Sequence, residues 1–187
     1  MEAKIRCSWC EKDDLYRNYH DNEWGNPVYD DATLFEFLVL ETFQAGLSWY
    51  TILKKRENFR QAFDQFDYTK VAQYDEVKVQ ELLLDAGIIR NQLKIRGTIA
   101  NAIAFIKVQQ EFGSFSKYIW DFVGHQPIDN LIKATSEIQA TTPLSDTISK
   151  DLKKRGFKFV GSTVVYAHMQ ATGMVNDHTL DCWKRAQ

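Results

Sequence analysis

The chain has 187 residues, a formal net charge of −2 at pH 7, 44% hydrophobic and 26% charged residues, and three cysteines. This is the composition of an ordinary globular protein with enough chain to bury a core, and it excludes a disordered one. No run reaches the ~18 apolar residues of a membrane span, and Met1-Glu2-Ala3-Lys4-Ile5-Arg6 lacks the apolar centre of a secretory leader, so a cytoplasmic protein without membrane contact is expected.

The cysteines stand at 7, 10 and 182, at the two extremes of the chain. An odd count in a reducing compartment argues against a disulfide framework. Net charge near zero leaves nucleic acid open, because phosphate affinity comes from local patches. Three prolines and nine glycines leave little room for linkers, and there is no internal repeat. The whole of 1–187 is expected to form a single domain, with two helical lobes as a variant of it.

The first feature in chain order is the segment Tyr16-Arg17-Asn18-Tyr19-His20-Asp21-Asn22-Glu23-Trp24-Gly25. With Trp9, Trp49 and Tyr50 it is rich in side chains that have an apolar face and a polar tip. Such residues suit a pocket that stacks a flat ring and hydrogen-bonds its edge, though they also serve as core. Asp31 to Ala45 is predicted helical, with Leu34, Phe37 and Leu38 on one face and Gly46 at its end. Glu41 lies on that face. A carboxylate on a core-facing stripe must be paired, protonated or used. Glu36 falls off the stripe and is expected to face water. Gln44, Ser48 and Trp49 follow within reach of Glu41.

Ser48 caps a second predicted helix through Ile52, Leu53, Phe59 and Phe63, and Asp75 a third through Val79, Leu82 and Leu83. A fourth runs from about Gln92 to Phe112, and Gly97 inside it weakens the expectation of continuity by ~1 kcal/mol against Ala. Further helices are expected from about Phe115 to Val123, from Pro143 (capped by Thr142) to near Arg155, and from Gly161 or Ser162 to Gly173. Beta-branched residues cluster only at Ser162 to Val165, too few for a sheet, so the fold class is all-α.

Leu84-Asp85-Ala86-Gly87-Ile88-Ile89-Arg90-Asn91 links two of these helices and leads into basic residues Arg90, Lys94 and Arg96. A tight turn feeding a helix N-terminus can present N–H groups to a phosphate. The triplets Lys54-Lys55-Arg56 and Lys153-Lys154-Arg155 could extend such a face, or be solvated charge.

Cys7 and His20 near one end, and His178 and Cys182 near the other, form a Cys₂His₂ set suited to tetrahedral zinc. The positions i and i+4 put His178 and Cys182 on one face of a helical turn. Asp21, Asp177 and Asp181 stand ready as partners for the imidazoles. Cys7-Ser8-Trp9-Cys10 leaves a second option, in which Cys10 is a ligand and His20 is not. His125 and His168 have no ligand neighbour and are expected to be structural.

Taken in order, the chain resembles the 3-methyladenine DNA glycosylase I family of the helix-hairpin-helix superfamily. The resemblance is carried by Cys7-x-Trp9, Tyr19-His20-Asp21-Asn22-Glu23-Trp24-Gly25, Gln44-Ala45-Gly46-Leu47-Ser48-Trp49 and Lys54-Lys55-Arg56-Glu57-Asn58-Phe59. It continues through Asp85-Ala86-Gly87-Ile88-Ile89-Arg90, Lys153-Lys154-Arg155-Gly156-Phe157-Lys158-Phe159-Val160-Gly161 and Val175-Asn176-Asp177-His178. It implies one structural zinc ion on Cys7, His20, His178 and Cys182, with Cys10 spare. It implies a base pocket of Glu41, Trp9, Tyr16, Tyr19 and Trp49, and DNA contacts at Gly87, Ile88, Arg90 and Lys94. The implied reaction is hydrolytic release of 3-methyladenine from alkylated double-stranded DNA, leaving an abasic site. No lysine stands out as a Schiff-base nucleophile, so strand cleavage is not expected, and no obligate protein partner is called for. Two departures stand out: the hairpin has one glycine where the superfamily commonly has a closely spaced pair, and no acid stands shortly after it. Asp121 is a possible acid. The alternative is a zinc-stapled helical DNA-binding module without catalysis, which would need no carboxylate on the apolar stripe.

Overall fold

A computed structural model describes residues 4–186; Met1, Glu2 and Ala3 of the opening segment, and Gln187, lie outside the described residues. The helix at the centre is α2 (Asp31–Gln44), which follows α1 (Asp14–Asn22). Asp30 starts α2 by accepting from the Thr33 N–H, and nine of its side chains, from Leu34 to Phe43, are buried. It packs against α3 (Trp49–Ala62), α6 (Gln92–Phe112), α7 (Phe115–Asp121) and α9 (Ser162–Ala171). A helix enclosed on all sides has no polar face, so the stripe expected from Leu34, Phe37 and Leu38 is only part of a continuous apolar surface.

Around it come α4 (Tyr68–Val71), α5 (Glu76–Leu84) and α8 (Pro143–Lys154). The predicted caps form as expected. Ser48, Asp75 and Thr142 each accept from a backbone N–H in the first turn that follows. Gly97 leaves α6 continuous. A Cβ there would come within 2.7 Å of the Phe159 ring, so the glycine is there for close packing and not for a bend. The elements that went unforeseen include α1, whose polar and aromatic residues hide its period, the single-turn helix α4, and the two-residue parallel pairing of β1 (Ile128–Asp129) with β2 (Val175–Asn176). No helix among the described residues is long and apolar enough to cross a membrane.

Two predicted surface residues are drawn into the fold. Lys94 is buried, and its ammonium donates to the carbonyls of Phe43 at 2.9 Å and Ala45 at 2.7 Å. Those are unpaired carbonyls at the C-terminus of α2, the negative end of the helix dipole. Lys94 is therefore a cap for α2. Glu36 does not face water: Arg56 donates to it at 2.5 Å and Arg60 at 2.9 Å. Replacing Lys94 by Met keeps the stem and removes the ammonium. Urea denaturation should show a loss of about 1–3 kcal/mol, appearing as a lower midpoint at unchanged slope.

Candidate functional site

The two ends of the chain meet at a buried cluster. Cys7, His20, His178 and Cys182 bring one ligand atom each within 4.8 Å of all the others. Cys7 Sγ lies 3.6 Å from His178 Nδ1, and Cys182 Sγ lies 3.4 Å from His20 Nε2 and 3.6 Å from His178 Nδ1. A tetrahedral ion with ordinary Zn–S and Zn–N bonds requires S···N edges of about 3.5 Å. The four residues could hold a metal ion.

The outer nitrogens of both imidazoles are occupied. His20 Nδ1 donates to Asp21 at 2.8 Å, and His178 Nε2 donates to the carbonyl of Trp24 at 3.3 Å. A carboxylate and a carbonyl only accept, so each ring turns its lone pair towards the thiols. Burial opposes the Asp21 charge, but Arg6 and His20 outweigh it and hold the carboxyl at about 2. Of the other two expected partners, Asp181 is exposed and Asp177 binds elsewhere. Cys10 is fully buried, and its thiol donates to the Cys7 carbonyl at 3.1 Å, outside the cluster. The option that used Cys10 in place of His20 is thereby removed. Gly25 is required here: its φ is +79°, and a Cβ would stand 2.7 Å from His178 Nε2.

Beside the cluster opens a cavity of about 370 Å³ whose lining includes Trp9, Tyr16, Tyr19, Trp24, Glu41 and Trp49. Every residue singled out for a base pocket is on its wall. Trp9 joins cavity to cluster, with its ring centroid 5.0 Å from Tyr16, 5.0 Å from Trp24 and 5.4 Å from His20. Tyr19 packs at 5.4 Å on Trp49, which stacks over Phe37 of α2. The indole N–H of Trp49 is buried and lacks a hydrogen-bond partner among the described residues. Its position on the cavity wall makes it a donor held ready for a guest.

Glu41 is 3% exposed, and no described residue hydrogen-bonds its carboxyl. Burial pushes that carboxyl from the ordinary 4.5 up to about 8. The cavity thus combines an aromatic wall with one proton-bearing carboxyl, an arrangement that fits a flat heteroaromatic guest and favours a positive one.

Four further residues stand away from the cavity wall. Ser48 is exposed at the start of α3 and does not line the cavity. Asp121 is exposed, 3.6 Å from His125, and is absent from the wall. Arg56 and Arg155 leave the basic triplets to pair with Glu23 and Glu36, and with Glu111 and Asp151. In the hairpin, Ile88 is buried, Gly87 half-buried and Arg90 exposed. Lys55 of α3 donates to the carbonyls of Ala86 at 3.1 Å and Gly87 at 3.0 Å. A Cβ at Gly87 would stand 3.1 Å from Asn58, so the lone glycine lets the turn lie on α3.

The wall also carries Thr135, Ile138, Ala167 and Gln170, which sequence reasoning missed. Thr135 and Ile138 lie at the two ends of a single 3-10 turn, Thr135–Glu137, too short to show a period. Ala167 and Gln170 sit three apart on α9, a spacing that places them on one face but does not say which surface it meets.

A sequence model of the methyladenine glycosylase family matches residues 9–185. The chain is 52% identical over 177 residues to DNA-3-methyladenine glycosylase 1 of Escherichia coli, covering 95% of each. A crystal structure of 3-methyladenine DNA glycosylase I superposes with a TM-score of 0.93 at 49% identity, over 96% of this chain and 98% of that one. A Tyr→Phe variant of 3-methyladenine DNA glycosylase I in complex with 3-methyladenine superposes with a TM-score of 0.94 at 37% identity, over 97% and 98%.

The raised Glu41 carboxyl has a consequence for stability. A folded-state value above the unfolded one favours the fold at low pH, and that contribution disappears as pH rises through about 8. Glu41→Gln lacks this dependence. In thermal melts its melting temperature should gain on that of the parent between pH 5 and pH 9.

Proposed function

Because the chain belongs to the methyladenine glycosylase family, we propose that the cavity beneath Trp9, Tyr16, Tyr19 and Trp49 receives the methylated base and that Glu41 is the group acting on it. The chain is a DNA-3-methyladenine glycosylase, a base-excision repair enzyme of alkylated DNA. The reaction breaks the bond between the base and C1′ of the sugar. Water adds to C1′, the electron pair leaves with the base, and one proton is released to solvent.

The lesion supplies much of the driving force. Methylation at N3 makes the base cationic in DNA, so it departs as a neutral molecule without needing a proton. The nucleotide must first leave the stack, which costs least where pairing is already weakened. A cation over an electron-rich aromatic wall gains on the order of 1–2 kcal/mol once water is excluded. Glu41 responds in the same direction: an arriving positive charge favours its ionised form, offsetting the burial that keeps it neutral in the empty cavity. As a carboxylate it accepts from the amino edge of the base and stabilises the charge that the sugar develops. The observation that carries this reading is a buried carboxyl without a protein partner on the wall of an aromatic cavity.

Zinc is the metal we assign to Cys7, His20, His178 and Cys182, since two thiolates and two imidazoles in a closed tetrahedral set suit it. When bound it supplies structure only, because no position is left for a substrate. On DNA, α5, the turn around Gly87 and Ile88, and α6 form the helix-hairpin-helix element. Its N–H groups and Arg90 meet phosphate, while Lys55 keeps two of the turn's carbonyls occupied on the α3 side. Residues 1–187 act as one domain.

Two measurements test these assignments. Methylated duplex DNA incubated with the protein should release free 3-methyladenine and leave abasic strands intact until alkali is added. Glu41→Gln should lower the rate by roughly a hundredfold; full activity in that variant would remove Glu41 from the mechanism. Elemental analysis should find one zinc per chain, and Cys182→Ser should lose it together with thermal stability.

A further inference from the structure

We propose that Gln170 is a specificity-determining residue. Its side-chain oxygen accepts from the 6-amino group of the bound base and excludes a 6-oxo purine, and Asp177, Tyr166 and Asn130 are positioning residues that hold it in that sense. The inference rests on the reading that the cavity takes the methylated base.

Gln170 lies on the cavity wall, three residues after Ala167, whose small side chain leaves it room. Its Nε2 donates to Asp177 Oδ2 at 2.7 Å. Asp177 is 1% exposed and receives two more donors: Asn130 Nδ2 at 2.6 Å on Oδ1, and the Tyr166 hydroxyl at 2.8 Å on Oδ2. Asn130 Nδ2 also donates to that hydroxyl oxygen at 3.1 Å. A carboxylate ringed by three donors is an acceptor at each of them. Turning the Gln170 amide over would set two oxygens against each other in a buried site.

The amide is therefore locked with nitrogen towards Asp177. Its Oε1 is left without a donor among the described residues, on a side chain that borders the cavity. An acceptor there is complementary to the 6-amino group of 3-methyladenine, which has two hydrogens to give. 3-Methylguanine carries an oxygen at the same position. It would face the Gln170 oxygen and the Glu41 carboxylate with nothing to donate. A site built to receive an N–H discriminates strongly against an analogue lacking it, because its own polar atom is left unpaired.

The test measures release of 3-methyladenine and 3-methylguanine from the same methylated DNA, and takes the ratio of the two rates. The parent protein should favour 3-methyladenine. Gln170→Leu and Gln170→Ala should each lower the ratio by about tenfold, mostly through slower 3-methyladenine release. Asp177→Asn should lower it as well, since an Asn amide can turn its oxygen to Gln170 Nε2 or its nitrogen to Gln170 Oε1. Metal content, read in parallel, should stay unchanged in the Gln170 variants. An unchanged ratio in both Gln170 variants overturns the inference, as does a parent protein that releases the two bases equally. A parent protein that releases neither base removes the cavity reading itself. The two failures are thus distinguishable.

Discussion

The structure depends on a meeting of chain ends. His178 donates to the Trp24 carbonyl, and its ring lies 4.7 Å from the Trp24 indole, at 84° to it. This contact ties the C-terminal segment around His178 to the N-terminal aromatic segment. Chain ends fray unless something holds them. Here the hold comes from the Cys₂His₂ set, from the Trp183 N–H donating to the Ile5 carbonyl, and from Arg6 on Asp21. Trp9 and Trp24 are walls of the cavity and neighbours of the imidazoles. Loosening the cluster therefore loosens the ring that a guest would stack on.

The second constraint is the isolation of Glu41. The other buried carboxyl among the described residues is paired: Asp177 has three donors, and the half-buried Asp21 likewise has Arg6 and His20. Glu41 has none, and remains in the fold by keeping its proton. Such a group destabilises the folded protein at neutral and alkaline pH. Its persistence in the middle of the most buried helix is a sign of use. The unpaired Trp49 indole on the same wall belongs to the same pattern: polar atoms left open where a ligand would close them.

Most helices were legible because caps and stops are local chemistry. Ser48, Asp75 and Thr142 act within their own first turns, so the sequence alone places them. The metal set was legible because residue type and position converge on few partners; spacing alone left Cys10 as an option, the resemblance set it aside, and the geometry brings His20 into the cluster. Lys94, Glu36 and Arg56 were misplaced for one shared reason. Charged side chains are expected outside, and what brings these three inside is a partner far away in sequence: two carbonyls ending α2 for Lys94, and mutual pairing across α2 and α3 for Glu36 and Arg56. Gln170 and Ala167 were missed because the cavity is formed by four separate stretches of chain, and α9 carries no mark of which face closes it.

The short pairing of β1 with β2 then explains how one stretch of backbone serves two sites. In extended chain, successive side chains point to opposite sides. Beyond β2, Asp177 turns towards α9, where it takes the Tyr166 hydroxyl and the Gln170 amide, and His178 turns towards Trp24 and the thiols. The register of Ile128 with Val175 and of Asp129 with Asn176 sets both directions at once. A slip by one residue would exchange them, placing an imidazole against α9 and a carboxylate among the cysteines. The parallel bridge is only two residues long, but it is flanked by the Asn130 N–H donating to the Asn176 carbonyl and the Leu180 N–H to the Ile132 carbonyl. Those bonds, together with Asn130 on Asp177, fix the register against that slip. The acceptor aimed at the cavity and the ligand aimed at the cluster thus depend on the same few backbone hydrogen bonds.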